Sequence, residues 1–163
     1  MTAPRKEQDN ETNLRSLADA VKALLEDEAD LVAGLANTSA LIKASLDDIN
    51  WAGFYLQKGN ELVLGPFQGL PACSRIAGGK GVCGRAVLDA KILVVPDVSR
   101  FQGHIRCDTA SASEMVVPLF RGGTIFGVLD LDSPRLNRFS ALEENCFRQV
   151  GEELNRFLDR IHG

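Results

Sequence analysis

Glu114-Met115-Val116-Val117-Pro118-Leu119-Phe120, Gly122-Gly123 and Thr124-Ile125-Phe126-Gly127-Val128-Leu129-Asp130-Leu131-Asp132 read as two strands around a two-residue turn. Side chains alternate across a strand, so Val128, Asp130 and Asp132 share one face while Ile125, Leu129 and Leu131 share the other. One face is core; the other becomes acidic toward its end. An earlier hairpin follows the same logic, with Asn50-Trp51-Ala52-Gly53-Phe54-Tyr55-Leu56 turning at Gly59-Asn60 and returning as Glu61-Leu62-Val63-Leu64-Gly65-Pro66. Trp51, Gly53 and Tyr55 share a face there. Taken alone, that strand makes Trp51 and Tyr55 core residues that bury their rings against neighbours.

Helices bracket these strands. Leu14, Leu17, Val21, Leu24 and Leu25 recur at helical spacing, as do Leu31, Leu35, Ile42 and Leu46 after the acidic break Glu26-Asp27-Glu28. Ser140 and Glu143 form a capping box ahead of the stripe Leu142, Cys146, Val150, Leu154, Phe157 and Ile161. Cys146 lies in that stripe and reads as a small buried apolar residue. Residues 1–10 carry no apolar periodicity and read as a disordered terminus, leaving 11–163 as one domain. Between the sheet segments, Gly78-Gly79-Lys80-Gly81 runs as a flexible loop into a short helix over Val82 to Ala90, where Gly84 permits close backbone packing. The loop has no Gly-Lys-Ser/Thr ending and so is not a nucleotide phosphate loop. Lys91-Ile92-Leu93-Val94-Val95 reads as a buried strand stopped by Pro96.

A net charge of -4 over 163 residues gives no electrostatic reason to expect nucleic acid. No apolar run approaches the ~20 residues that span a bilayer, and the first residues lack the apolar core of a signal peptide. A cytoplasmic location is the expectation. In that reducing compartment four cysteines are free, catalytic or metal-bound rather than permanently paired. Cys73, Cys83 and Cys107 lack a Cys-x-x-Cys pair and have only His104 nearby, which is poor zinc spacing. No metal site is expected.

Several motifs together carry a specific resemblance. Asn50-Trp51-Ala52-Gly53-Phe54-Tyr55, Leu64-Gly65-Pro66-Phe67-Gln68-Gly69, Pro71-Ala72-Cys73, Gly81-Val82-Cys83-Gly84, Gly103-His104-Ile105-x-Cys107-Asp108, Ser113-Glu114 and Gly127-Val128-Leu129-Asp130-Leu131-Asp132-Ser133 resemble free methionine-(R)-sulfoxide reductase, a family built on a lone GAF domain. The match extends from the helix around Ala36-Asn37-Thr38-Ser39-Ala40 to the last helix. The resemblance implies an α+β fold: a central antiparallel sheet of about six strands, terminal helices on one face and a ligand pocket on the other. It implies Cys107 as nucleophile, Cys73 as principal resolving cysteine and Cys83 as a secondary partner. Trp51 and Tyr55 become pocket walls, and Glu114, Asp130 and Asp132 hold the substrate. Arg106 departs from the small residue that many members carry before the nucleophile, which would tune thiolate reactivity.

The chemistry suits those residue types. A thiolate attacking a sulfoxide needs an acid for the departing oxygen, and crowded carboxylates retain a proton near neutrality. Asp132 is the first choice for that acid and Glu114 the second. The remaining carboxylates can pair with the substrate's ammonium group, while Trp51 offers the S-methyl group an apolar, polarisable face. The same negative charge disfavours the Cys107 thiolate, an effect that Arg106, His104 or the substrate's own cation could offset. A sulfenic acid on Cys107 would condense with Cys73, and an external dithiol such as thioredoxin would reopen the disulfide. Neither a metal nor an organic cofactor is called for. A homodimer through the amino-terminal helices is compatible with the sequence. The alternatives are a GAF-type small-ligand sensor without turnover and a redox switch that peroxide oxidises.

Overall fold

The computed structural model describes residues 5–105, 107 and 109–161, and side chains from residue 12 onward within that span. Arg106 and Asp108 lie outside it, so the departure at Arg106 stays a matter of sequence. Among the described residues the elements are α1 (Arg5–Leu25), α2 (Leu31–Ser45), β1 (Trp51–Lys58), β2 (Glu61–Gln68), β3 (Arg75–Ala77), α3 (Gly81–Asp89), β4 (Leu93–Val95), β5 (Ser113–Arg121), β6 (Thr124–Ser133) and α4 (Ala141–Ile161). The strands form one antiparallel sheet in the order β3-β2-β1-β6-β5-β4. This is the α+β architecture expected, with six strands among the described residues. Helix α1 starts at Arg5 and so includes positions that the apolar pattern leaves outside.

Strand alternation splits the core in two. Ala52, Phe54, Met115, Val117, Leu119, Leu129 and Leu131 face a helical layer made by the stripes of α1, α2 and α4. Trp51, Tyr55, Val116 and Val128 face the other way, against α3 and the long connections. The capping box at α4 is formed: the Ser140 N–H donates to Glu143 Oε2 at 2.8 Å and the Glu143 N–H to Ser140 Oγ at 3.2 Å. Cys146 is buried, as read, and its thiol donates to the Leu14 carbonyl at 3.0 Å. Burial, with Glu143 nearby, pushes that thiol up to about 11.

The β5–β6 turn uses positive φ at both Gly122 (+58°) and Gly123 (+76°), the pattern that matches the twist of a two-residue hairpin. Arg75–Ala77, left unassigned in the sequence reading, pairs with β2 as a strand; three residues have no alternation long enough to be read. One expectation needs correction. The run ending at Val95 is an edge strand of only three residues, with Leu93 and Val94 half-buried, because it has a partner on one side alone. Pro96 fits such an edge, where no ladder donor is lost.

Gly127 shows how closely β1 and β6 approach. A Cβ built there would lie 2.2 Å from the Tyr55 carbonyl oxygen, which is backbone and cannot move aside. Gly127→Ala is expected to cost about 3 kcal/mol of unfolding free energy in urea denaturation, through overpacking.

Candidate active site

The sheet register assembles the acidic cluster. Trp51 on β1 pairs with Asp132 on β6, and Asp132 pairs with Glu114 on β5. One step along, Gly53 pairs with Asp130 and Asp130 with Val116. Alternation then points Trp51, Asp132, Glu114 and Asp130 to the face away from the helical layer. Buried serines fix the strand ends that carry them. Ser113 Oγ donates to the Arg135 carbonyl at 2.6 Å and accepts the Arg138 N–H at 3.3 Å, while Ser133 Oγ accepts the Arg135 N–H at 3.1 Å. Asn50 adds a bond from its amide nitrogen to Ser111 Oγ at 3.2 Å, tying β1 to the connection before β5.

These side chains line one cavity with Tyr55, Ala72, Ile76, Val82, Cys83, His104, Ile105, Cys107 and Ser111. Every residue named as a site candidate from the sequence reaches it except Cys73, which is joined to it by a disulfide to Cys107 across 34 positions, Cα–Cα 5.2 Å. Tyr55 also reaches that segment, its hydroxyl donating to the Cys73 carbonyl at 2.9 Å. Trp51 donates its indole N–H to the Leu70 carbonyl at 3.2 Å and stacks on both Tyr55 (5.8 Å between ring centroids) and Phe67 (5.3 Å). The two aromatics are thus buried and pocket walls at once; the burial expected of them as core residues and the wall role are compatible.

Cys83 lies on the short helix that follows the glycine-rich loop, as read from the sequence. It sits in the first turn of α3, buried, with its thiol directed to Glu114 Oε1 at 3.9 Å. Helix α3 is held down where Gly84 lets the Gly79 backbone approach: a Cβ would come within 2.7 Å of it. Cys83 is a free thiol in this structure.

The electrostatics are those of buried, like-charged groups. Burial first, and Asp132 second, push Glu114 up to about 8. Burial and then Glu114 drive Asp130 well above the ordinary carboxylate range. Burial, followed by Asp130 and Glu114, raises the Cys83 thiol, and burial with Asp130 raises the Tyr55 phenol. Burial and the neighbouring carboxylates thus favour the protonated forms of Glu114 and Asp130, while Asp132 is only half-buried. Asp130 Oδ1 is buried and has no hydrogen-bond partner among the described residues. His104 Nε2 lies 3.7 Å from Glu114 Oε2. Ile76 and Ser111 were not singled out from the sequence, and Val82 and Ile105 stood there only as members of motifs; they reach the cavity through β3, α3 and the long connection.

A carboxyl with a raised folded pKa binds its proton more tightly folded than unfolded, so its contribution favours folding at low pH. That contribution is lost between about 4.5, the ordinary glutamate value, and about 8. The slope is at most about 1.4 kcal/mol per pH unit. Glu114→Gln is expected to flatten the fall of unfolding free energy between pH 5 and pH 8, measured by urea denaturation at each pH.

Cys83, Glu114 and Asp130 bring three donor atoms within 4.8 Å of one another, a grouping that cysteine spacing along the chain does not reveal. Among the described residues no helix is long and apolar enough to cross a membrane.

Comparison with known proteins agrees with this geometry. The GAF domain family model matches residues 11–158. Free methionine-R-sulfoxide reductase of Escherichia coli is 51% identical over 136 residues, covering 83% of this chain and 82% of the relative. The structure of the Staphylococcus aureus reductase in complex with substrate superposes with TM-score 0.85 at 46% identity, over 90% of this chain and 95% of that one. The free methionine-R-sulfoxide reductase of Neisseria meningitidis, also in complex with its substrate, gives TM-score 0.89 at 38% identity, over 100% and 97% of the two chains. A GAF domain whose sheet register gathers a thiol pair, stacked aromatics and three carboxylates into one cavity, with relatives this similar, thus places this chain in the free methionine-R-sulfoxide reductase family.

Proposed function

We propose that this protein reduces free L-methionine-(R)-sulfoxide to L-methionine, with Cys107 as the nucleophile. The observation that carries the reading is the Cys73–Cys107 pairing at the rim of a cavity whose floor is Glu114, Asp130 and Asp132. The Cys107 thiol takes the sulfoxide oxygen, becoming a sulfenic acid as the sulfoxide becomes a thioether. The Cys73 thiol then displaces that hydroxyl as water and closes the disulfide. Cys83, buried under the carboxylates with a raised pKa, is a poor nucleophile in this arrangement and serves only as a secondary resolving thiol.

Glu114 is the better donor for the departing oxygen, reversing the order taken from sequence. It is buried, holds its proton to about pH 8 and lies beside His104, whereas Asp132 is half-exposed. Asp132 lines the cavity from the more exposed position, from which it meets the incoming substrate. Asp130 receives the ammonium group, a cation that its unpaired buried oxygen can accept. Trp51, backed by Phe67 and Tyr55, packs the S-methyl end. Space for a water-sized sphere inside the cavity is about 30 Å³, which suits about two waters and not an amino acid. Substrate enters the reduced form, in which Cys107 is a thiol able to take the oxygen, and the disulfide-linked form is the one awaiting its reductant. Both electrons come from thiols, so the reading asks for no metal or organic cofactor, and thioredoxin in the cytoplasm is the reductant that suits it.

The test is turnover of the separated (R) and (S) sulfoxides of free methionine, and of a methionine-sulfoxide peptide, with thioredoxin and its reductase supplying electrons. Selective consumption of the free (R) form supports the proposal. A folded, fully reduced chain that consumes none of them would leave a ligand-binding or redox-sensing domain.

A further inference from the structure

We propose that Cys83, Glu114 and Asp130, with His104 as a fourth donor, form a reversible Zn²⁺ site on the floor of this cavity, and that its occupation blocks methionine sulfoxide. The donors come from three rigid elements: Cys83 from the first turn of α3, Glu114 from β5 and Asp130 from β6. All three side chains are buried, and one ligating atom from each lies within 4.8 Å of the others. Tetrahedral zinc, with bonds of ~2.0–2.3 Å, spaces its donors ~3.3–3.8 Å apart, so the trio closes by about 1 Å on binding. Two separations are already near that spacing: Cys83 Sγ to Glu114 Oε1 at 3.9 Å and His104 Nε2 to Glu114 Oε2 at 3.7 Å.

A second observation points to a cation here. Asp130 Oδ1 is buried in the cavity lining and accepts no hydrogen bond, whereas buried carboxylate oxygens in native proteins are ordinarily paired. The available space, about 30 Å³ in the disulfide-linked form, takes an ion with a water. A mixed thiolate, imidazole and carboxylate set selects a borderline-soft ion, whereas magnesium and calcium take oxygen donors. Cys83 gives up its thiol proton to solvent as the ion binds, and Glu114 and Asp130 release the protons that burial makes them hold. The blocking half of the proposal rests on the reductase reading, since zinc and the substrate ammonium would compete for the same oxygens. The binding half does not.

Chelator-treated, disulfide-linked protein titrated with Zn²⁺ in a calorimeter is expected to bind one ion per chain with micromolar or tighter affinity. Co²⁺ in its place is expected to give a thiolate charge-transfer absorption. Cys83→Ser removes that absorption, and Asp130→Asn weakens binding more than roughly 100-fold, beyond what loss of an outer-shell contact causes. Cys146→Ser leaves both unchanged. No binding below millimolar zinc, binding indifferent to Cys83→Ser and Asp130→Asn, or a wild-type Co²⁺ spectrum without a thiolate band overturns the site; the last needs no variant to fold. Competition is read on Cys107→Ser, which binds the sulfoxide without consuming it: zinc is expected to weaken sulfoxide binding at least tenfold. Sulfoxide affinity untouched by bound zinc overturns the blocking. Absence of sulfoxide binding with zinc binding intact overturns the reductase reading and, with it, the blocking, and leaves the metal site standing.

Discussion

Cys107→Ser is expected to lower turnover of free methionine-(R)-sulfoxide to the uncatalysed background, a loss of roughly 10⁴-fold or more, in a chain that folds as the wild type does. The size follows from the step lost. A serine hydroxyl has neither the nucleophilicity toward sulfur nor the capacity to be oxidised and then displaced, so the oxygen has nowhere to go. Folding is spared because Cys107 lies in the connection before β5 and is only half-buried. Its covalent tie to Cys73 belongs to one redox state. Steady-state assays with purified protein, alongside circular dichroism, check both halves. Cys73→Ser differs in kind: the first oxygen transfer proceeds, and the sulfenic acid on Cys107 persists until an external thiol or, slowly, the buried Cys83 resolves it.

Asp130→Asn is expected to raise KM for the sulfoxide about 100-fold while changing kcat by less than about tenfold. Removing one charge from a buried ion pair costs about 2–5 kcal/mol, and each 1.4 kcal/mol is tenfold in affinity. The ammonium group would sit against Asp130 Oδ1 in both ground and transition states, so its loss weakens binding more than chemistry. The amide keeps the size of the acid, and it spares the empty pocket a carboxyl that burial and Glu114 already force to hold a proton. Kinetics over a wide sulfoxide range separate the two parameters. A kcat loss at unchanged KM would move Asp130 from substrate holding to proton transfer.

The fold was legible where periodicity is long. The β5–β6 hairpin, the β1–β2 hairpin, the stripes of α1 and α2 and the capping box at Ser140 and Glu143 formed as read, and so did the stripe of α4 except at Leu142, which stands exposed in the first turn. Strand β3 was not legible, since three residues cannot display alternation, and β4 was overestimated, since an apolar run does not reveal that a strand will lie at an edge. Within the site, alternation along β6 put Asp130 and Asp132 on one face. Only the register could place Glu114 opposite Asp132, or show that Asp130 is the deeper of the two. The short helix carrying Cys83 and the close packing at Gly84 formed as read, but only the fold shows that this packing against Gly79 holds the thiol beside Glu114. Phe67 carried no signal of its own beyond sharing a motif; its stacking on Trp51 depends on how β2 bulges past β1 between Gly53 and Tyr55.

The central claim, that one oxygen leaves the sulfoxide for the Cys107–Cys73 pair, is tested most directly by a single turnover. Fully reduced chain is mixed with excess free methionine-(R)-sulfoxide in the absence of any reductant, and methionine, free thiols and disulfide-linked peptides are quantified. The account gives one methionine per chain, two thiols lost, and Cys73 linked to Cys107 while Cys83 and Cys146 stay reduced. Methionine formed without loss of thiols, or thiols lost without methionine, would contradict it.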